Sequence, residues 1–205
     1  MTERKPRPTG RHHGDLRNAL ESAALELIAE NGPRGFTLAE ACRRAGVSVA
    51  APYKHFADRD ALLAALAERG YDEQRRRFSA ALASTDDPVE QMARFAAAYV
   101  RFAVEERGLF EATFSAGLDK SRYPALAEAG ERLLLVLHDA AAQLRPGEKQ
   151  ALGLVHAVAA TAHGFAAFVL EGIYSSAREA EAQASNAARL ISASQDPGLV
   201  SVQDG

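Results

Sequence analysis

The chain has 205 residues, 47% of them hydrophobic and 25% charged, with a formal net charge of −3 and one cysteine. That is enough apolar material to bury a core without staples, which excludes a disordered polypeptide and an internal disulfide framework. No signal sequence and no membrane span of about 20 apolar residues is read from it, so the expectation is a cytoplasmic protein with no membrane partner.

The charge is uneven. Residues 1–57 carry nine Lys and Arg against six Asp and Glu, a net +3, which leaves 15 against 21, or −6, for the rest. The alanine-rich texture favours helix, and an all-α fold is expected. Four segments are read: a flexible basic arm over 1–13, a helical module over 14–57, a larger helical body over 58–196 and a disordered tail over 197–205. The arm sets Arg4, Lys5, Arg7 and Arg11 among Pro6, Pro8 and Gly10, a composition that buries nothing.

A first helix carries Leu16, Leu20, Ala23, Ala24, Leu27 and Ile28 at spacings of three and four and stops at Asn31-Gly32-Pro33. Thr37 followed by Glu40 is a capping-box spacing, so a second helix begins near Leu38, turns Ala41, Cys42 and Ala45 inward, and ends before Gly46. Ser48 is read as the next N-cap, leading a helix of about two turns with Val49 and Phe56 inward and Ala50, Tyr53 and Lys54 outward. Pro52 is its awkward member, because it removes a donor and crowds the Ser48 carbonyl. Two short helices around a tight turn look like a helix-turn-helix. An outer face of small, aromatic and basic residues suits entry into a major groove, with Tyr53, Lys54 and His55 able to donate to phosphates. Cys42, turned inward, reads as an inert small hydrophobe rather than a redox sensor.

Asp58 is expected to cap a long helix toward Ala83, with Leu62, Leu63, Leu66, Phe78 and Leu82 inward and 72–77 largely solvated. At 1.5 Å per residue it spans on the order of 35 Å, a rigid link between module and body. Asp87-Pro88 opens a helix whose aromatic side holds Phe95, Tyr99 and Phe102. A short helical piece around 109–114 adds Phe110 and Phe114, and a helix over about 124–144 follows. The helix over 148–172 is apolar on nearly opposite sides, one stripe holding Leu152, Val155, His156, Ala159 and His163, the other Leu154, Val158, Thr161, Phe165 and Phe168. A third strip of Gly153, Ala157, Ala160, Gly164 and Ala167 allows close backbone approach. One chain covers one side only, which implies a homodimer through this helix and that near 176–194.

The run Gly35-Phe36-Thr37-Leu38, then Ala45-Gly46-Val47-Ser48, then Tyr53 through Leu62 resembles the DNA-binding signature of the TetR family of bacterial transcriptional regulators. The resemblance implies an N-terminal three-helix DNA-binding module and a C-terminal helical domain for ligand binding and dimerisation. It further implies a homodimer that binds a roughly palindromic operator and leaves it when a small-molecule effector enters. By position, Thr37, Tyr53, Lys54 and His55 hold phosphates, Ser48, Ala50 and Ala51 lie nearest the bases, and Arg43 and Arg44 are flanking contacts. The C-terminal half is similar to the TetR subgroup with a Trp-x-x-x-His-Gly element. His163-Gly164 is present, but Ala159 stands at the Trp position, and the chain has no tryptophan.

Two readings of His156 and His163 stay open: lining an effector cavity with Phe95, Tyr99, Phe102, Phe110 and Phe114, or hydrogen-bonded core histidines. A mostly apolar cavity implies a largely apolar effector. Two histidines without Cys or clustered carboxylates make a poor ligand set, so no metal is expected, nor any cofactor. No nucleophile and base pair or phosphate-cradling loop is found, so an enzyme is not expected. The alternative is a helical dimeric interaction protein without sequence-specific DNA binding.

Overall fold

A computed structural model of the chain describes residues 12–114 and 116–194, folded into eight α-helices: α1 His12–Asn31, α2 Leu38–Arg44, α3 Arg59–Leu82, α4 Pro88–Glu105, α5 Arg107–Phe114, α6 Pro124–Ala142, α7 Glu148–Leu170 and α8 Ala177–Ala193. There is no strand among the described residues. Most of the expected arm and all of the expected tail lie outside them, although α1 already includes His12 and His13, the arm's last two residues.

The helix limits follow local chemistry. Asp58 accepts from the Ala61 amide at 2.8 Å and Asp87 from the Val89 amide at 2.9 Å, each satisfying a donor that the first helical turn leaves open. At the other ends, Gly32 and Gly46 stop α1 and α2 in the left-handed region, at φ 74° and 68°.

Two hydrophobic cores result. In the first, Leu20, Ala24, Leu27 and Ile28 of α1 pack with Phe36, with Ala41 and Cys42 of α2, with Phe56, and with Leu62, Leu63 and Leu66 of α3. Burying side chains of this size contributes roughly 1.5–3 kcal/mol each. The second core holds the rest of α3 and α4 to α8, with Phe78, Met92, Phe95, Tyr99, Phe102, Leu126 and Val158 among its buried members. α3 thus belongs to both. The stretch 72–77, expected to be solvated, is not uniformly so: Gln74 is 1% exposed, because its position shares a face with Tyr71 and Phe78.

α5 is the other bridge. Gly108 lies against the backbone of Leu25 in α1, where an added Cβ stands 2.6 Å from the Leu25 carbonyl oxygen, and Gly70 of α3 lies against Thr113.

In α7 the buried residues are Ala151, Leu154, Val155, Val158, Ala162 and Ala166. This stripe runs between the two expected from the sequence and takes members of each. At about 100° per residue, His156 lies about 130° from its middle, and it is exposed rather than in the core. Ala157 and Ala160 are exposed on the same outer side. α7 also departs from the expectation of no membrane-length apolar segment: by length and composition it is long and apolar enough to cross a membrane, with a mean hydropathy of 1.6 in its most apolar window, 28% of which is buried within the chain.

Candidate nucleic-acid interface and effector site

The N-terminal unit is built as its sequence dictates up to Gly46. The Thr37 hydroxyl accepts from the Glu40 amide at 3.2 Å, while Glu40 Oε2 accepts from the Thr37 amide and hydroxyl, both at 2.8 Å. These bonds, the side-chain hydroxyl first, hold the Glu40 carboxyl below the usual carboxylate range. Arg59 fastens the entry, its Nε donating to the Phe36 carbonyl at 3.1 Å and its guanidinium lying 5.0 Å from the Phe36 ring. Past Gly46, the Val47 amide donates back to Cys42 at 3.0 Å and completes the turn.

The second arm of the unit differs from expectation. In place of a two-turn helix from Ser48, the backbone makes turns over 49–51 and one 3₁₀ turn, Pro52–Lys54. Pro52 has no N–H to give the Ser48 carbonyl, which accepts from Ala51 at 3.0 Å instead, and the tightened i to i−3 pattern continues from His55 to Pro52 at 2.7 Å. The seven-residue spacing that brings Val49 and Phe56 to one side of an α-helix therefore does not operate. Val49 is 61% exposed, and Pro52 is buried in its stead. Phe56 is buried as expected and anchors the segment, with the Arg17 guanidinium 5.3 Å from its ring.

Of the residues expected to meet DNA, Ser48, Ala50, Tyr53 and Lys54 are exposed and Ala51 and His55 half-buried, so they share one open edge of the module. Tyr53 is 64% exposed. Arg43 is open, 3.8 Å from Glu40. Two others are already engaged within the chain. Thr37 is held in the capping box, and Arg44 forms a bidentate pair with Glu30 at 2.7 and 2.8 Å that ties α2 to α1.

In the body, five of the seven expected effector-site residues come together. Tyr99 meets Phe95 edge-on at 6.1 Å and Phe110 edge-on at 6.2 Å, with Phe114 tilted against it at 5.9 Å, while His163 lies 5.3 Å from both Phe110 and Phe114. Phe78 of α3, which sequence reasoning placed in the core alone, stacks on Tyr99 at 5.8 Å. The Tyr99 hydroxyl and His163 Nδ1 are 3.0 Å apart. Burial pushes the tyrosine hydroxyl well above its ordinary value, and burial likewise pushes the His163 imidazole down. The pair is therefore neutral near pH 7. Phe102 is buried with the Arg77 guanidinium 5.7 Å from its ring, and His156 is on the far side of α7.

Three residues of this neighbourhood were not singled out from the sequence. Tyr71 approaches Phe114 edge-on at 6.5 Å, Lys120 donates to the Tyr71 hydroxyl at 2.6 Å, and Gln74 lies between Tyr71 and Phe78 on α3. Tyr71 and Gln74 carry only their spacing along α3 as a signal, and Lys120, in the turn before α6, carries none. A cleft of about 690 Å³ beside α3 is of another kind, lined by Arg69, Asp72, Glu73, Arg76 and Glu106 among others. Its charges are paired: Arg76 and then Arg77 hold the Glu73 carboxyl down at about 2. Among the described residues no group of three His, Cys, Asp or Glu stands where it can hold a metal ion.

A capped helix, a glycine turn and an exposed basic segment, carried on a helical body with an aromatic interior, define a helix-turn-helix regulator. The comparisons with known proteins agree. The profile of bacterial regulatory proteins of the tetR family matches residues 20–66, and that of the tetracyclin repressor-like C-terminal domain matches residues 92–192. A protein of unknown function from Rhodococcus sp. RHA1 is 30% identical, with 89% of this chain and 98% of that one covered and a TM-score of 0.73. A TetR family transcription regulator from Marinobacter aquaeolei VT8 shares the fold at 18% identity, 87% and 95% coverage and a TM-score of 0.68. So does the transcriptional regulator FadR from Bacillus subtilis, solved in complex with stearoyl-CoA, at 17% identity, 86% and 97% coverage and a TM-score of 0.67. No match is found among curated proteins. The chain belongs to the TetR family of bacterial transcriptional regulators, with an N-terminal DNA-binding domain and a C-terminal ligand-binding domain.

Proposed function

We propose that this regulator is a cytoplasmic, non-enzymatic homodimer that represses transcription from a roughly palindromic operator and is released by a small, largely apolar effector. The observation that carries the reading is the open edge of the module, where Tyr53 and Lys54 stand exposed beside Ser48 and Ala50. Tyr53, Lys54 and His55 take phosphates, the short side chains let the backbone approach base edges, and Arg43 flanks them. The functional division is 14–57 for DNA and 58–196 for effector and partner, with 1–13 as a basic arm.

The partner covers the outer side of α7. Ala157 and Ala160 are exposed there, an added Cβ at Gly164 meets nothing within 4 Å, and Phe168 is 44% exposed. On α8, Leu190 is 75% exposed. Small residues let two copies of α7 come close about a two-fold axis, and the larger ones close the ends of the contact.

For such a dimer the two reading segments must lie about 34–36 Å apart to enter successive major grooves, or somewhat more on bent DNA. Effector binding among the rings of Tyr99, Phe110, Phe114 and His163 moves α5, which carries two of those rings and also touches α1 through Gly108. A coupling of about 1–3 kcal/mol changes operator affinity by about 5- to 150-fold. The test of the DNA-binding edge is Lys54→Ala in a mobility shift on mixed-sequence duplex DNA over a salt series. Binding weakens on all sequences alike, and the slope of log affinity against log salt falls by about 0.9 for each phosphate that the variant no longer neutralises. Unchanged affinity and slope reject the assignment of this face.

A further inference from the structure

Gln74 is buried to 1% exposure, and neither its amide oxygen nor its amide nitrogen has a hydrogen-bond partner among the described residues. A primary amide offers two donors and two acceptor positions, and leaving all of them unmet in a core is costly and rare. A leucine or methionine fills such a place at no comparable cost. The neighbouring polar groups behave differently: the Thr113 hydroxyl donates to the Leu109 carbonyl at 2.8 Å, Tyr71 accepts from Lys120, and Tyr99 is bonded to His163. Gln74 alone among them is unpartnered. Its place on α3 is three residues from Tyr71 and four from Phe78, on one helical face. Tyr71 meets Phe114 and Phe78 stacks on Tyr99, so Gln74 stands on the face of α3 that carries two members of the aromatic cluster.

We propose that Gln74 is the hydrogen-bonding anchor of the effector site, and that the effector is an uncharged, mostly apolar molecule carrying a hydroxyl, carbonyl or amide group. The inference rests on the effector reading above and narrows it. Aromatic side chains supply the apolar walls, and the polar groups that face them are neutral: the Gln74 amide, the Tyr99 hydroxyl and the His163 ring. The neighbouring cations are already engaged: Lys120 is exposed and held on Tyr71, with its Nζ 5.0 Å from that ring, and Arg77 is paired with Glu73, Glu105 and Glu106. An ionised head group beside Gln74 would be buried without a counter-charge, which is far costlier than burying a hydroxyl that bonds the amide.

The test compares the full-length protein with Gln74→Leu, and with Gln74→Met as a second apolar variant. The probes are 2-naphthol, naphthalene and 2-naphthoate, which share a ring system and differ in carrying a neutral hydroxyl, no polar group or a charge. Without probe, the variants melt about 2 to 4 °C above the parent, because an unmet buried amide has been removed. The parent's melting temperature is raised more by 2-naphthol than by either other probe. Both variants lose about 2- to 12-fold in affinity for 2-naphthol, the worth of a neutral hydrogen bond, while holding naphthalene at least as well.

Variants that melt lower or fail to fold overturn the proposal, since the amide is then bonded within the core. So does a parent that ignores 2-naphthol or prefers 2-naphthoate, or a 2-naphthol preference that survives in the variants. Mobility shifts on the same samples separate this from the wider reading. If 2-naphthol binds through Gln74 and DNA is not released, the release mechanism fails and the anchor stands; if DNA is released by 2-naphthol equally in parent and variants, the mechanism stands and the anchor fails.

Discussion

Gly108→Ala perturbs the contact through which α5 reaches the DNA-binding module. The new Cβ stands 2.6 Å from the carbonyl oxygen of Leu25, 3.2 Å from its carbonyl carbon and 3.3 Å from its Cα. All three atoms are backbone within α1, so no side-chain rotation relieves the overlap and α1 or α5 must shift. Two effects oppose each other. Alanine is better than glycine in a helix interior by about 1 kcal/mol, whereas forcing an extra carbon into a packed contact costs about 1–3 kcal/mol. The backbone overlap wins, for a net loss of about 1 kcal/mol and a fall in melting temperature of roughly 2 to 4 °C for a chain of this size. Because the displacement lies between body and module, effector-dependent release of DNA changes as well. Thermal unfolding and mobility shifts on the same preparation measure both. A variant that melts at or above the parent temperature refutes the reasoning, since the approach of α5 to α1 is then looser than the structure has it.

Thr37→Ala removes the capping box at the start of α2; it loses about 1 kcal/mol, read as a melting point lower by about 2 to 4 °C, whereas Thr37→Ser keeps nearly all of the stability. Gly164→Leu places a large side chain where the chain itself offers open space, so folding is retained and the dimer dissociates at micromolar concentration in sedimentation; a dimer as tight as the parent's rules out this face of α7 as the contact. The pH profile reports on His163. Burial lowers its pKa in the folded state, so the unfolded chain takes up the proton first: stability holds above the ordinary imidazole value of about 6.5 and falls as pH drops below it. Melting temperatures from pH 8 to 5 show this fall, and His163→Gln flattens it.

The sequence carried the fold where local chemistry decides the outcome. Thr37 with Glu40, Asp58, Asp87 and Gly46 each fix a helix limit through bonds within a few residues, and all are where the spacing put them. It failed where two local rules compete. Ser48 signals a helix start and Pro52 denies it the donor it needs; the proline won, the segment tightened into a 3₁₀ turn, and Val49 changed sides. It also failed where tertiary contact chooses among equivalent faces. α7 is apolar almost all round, so its own pattern cannot say which stripe meets the core, and His156 was misplaced with His163 for that reason. The aromatic cluster was legible as a set of stripes on α4, α5 and α7, but its polar members on α3 were not. Gln74 sits in a run of Asp, Glu and Arg that reads as solvent-facing, and only the packing of α3 against α4, α5 and α6 buries it.

The most direct measurement of the central claim is selection of bound sequences from a random DNA pool by the purified full-length protein. A symmetric dimer that reads DNA through the Tyr53–Lys54 edge enriches two-fold-symmetric sites with half-site centres about 10 to 10.5 base pairs apart or somewhat more, and Lys54→Ala recovers the same sites in lower yield at the same salt. Enrichment of single, asymmetric sites, or of no sites, contradicts that claim.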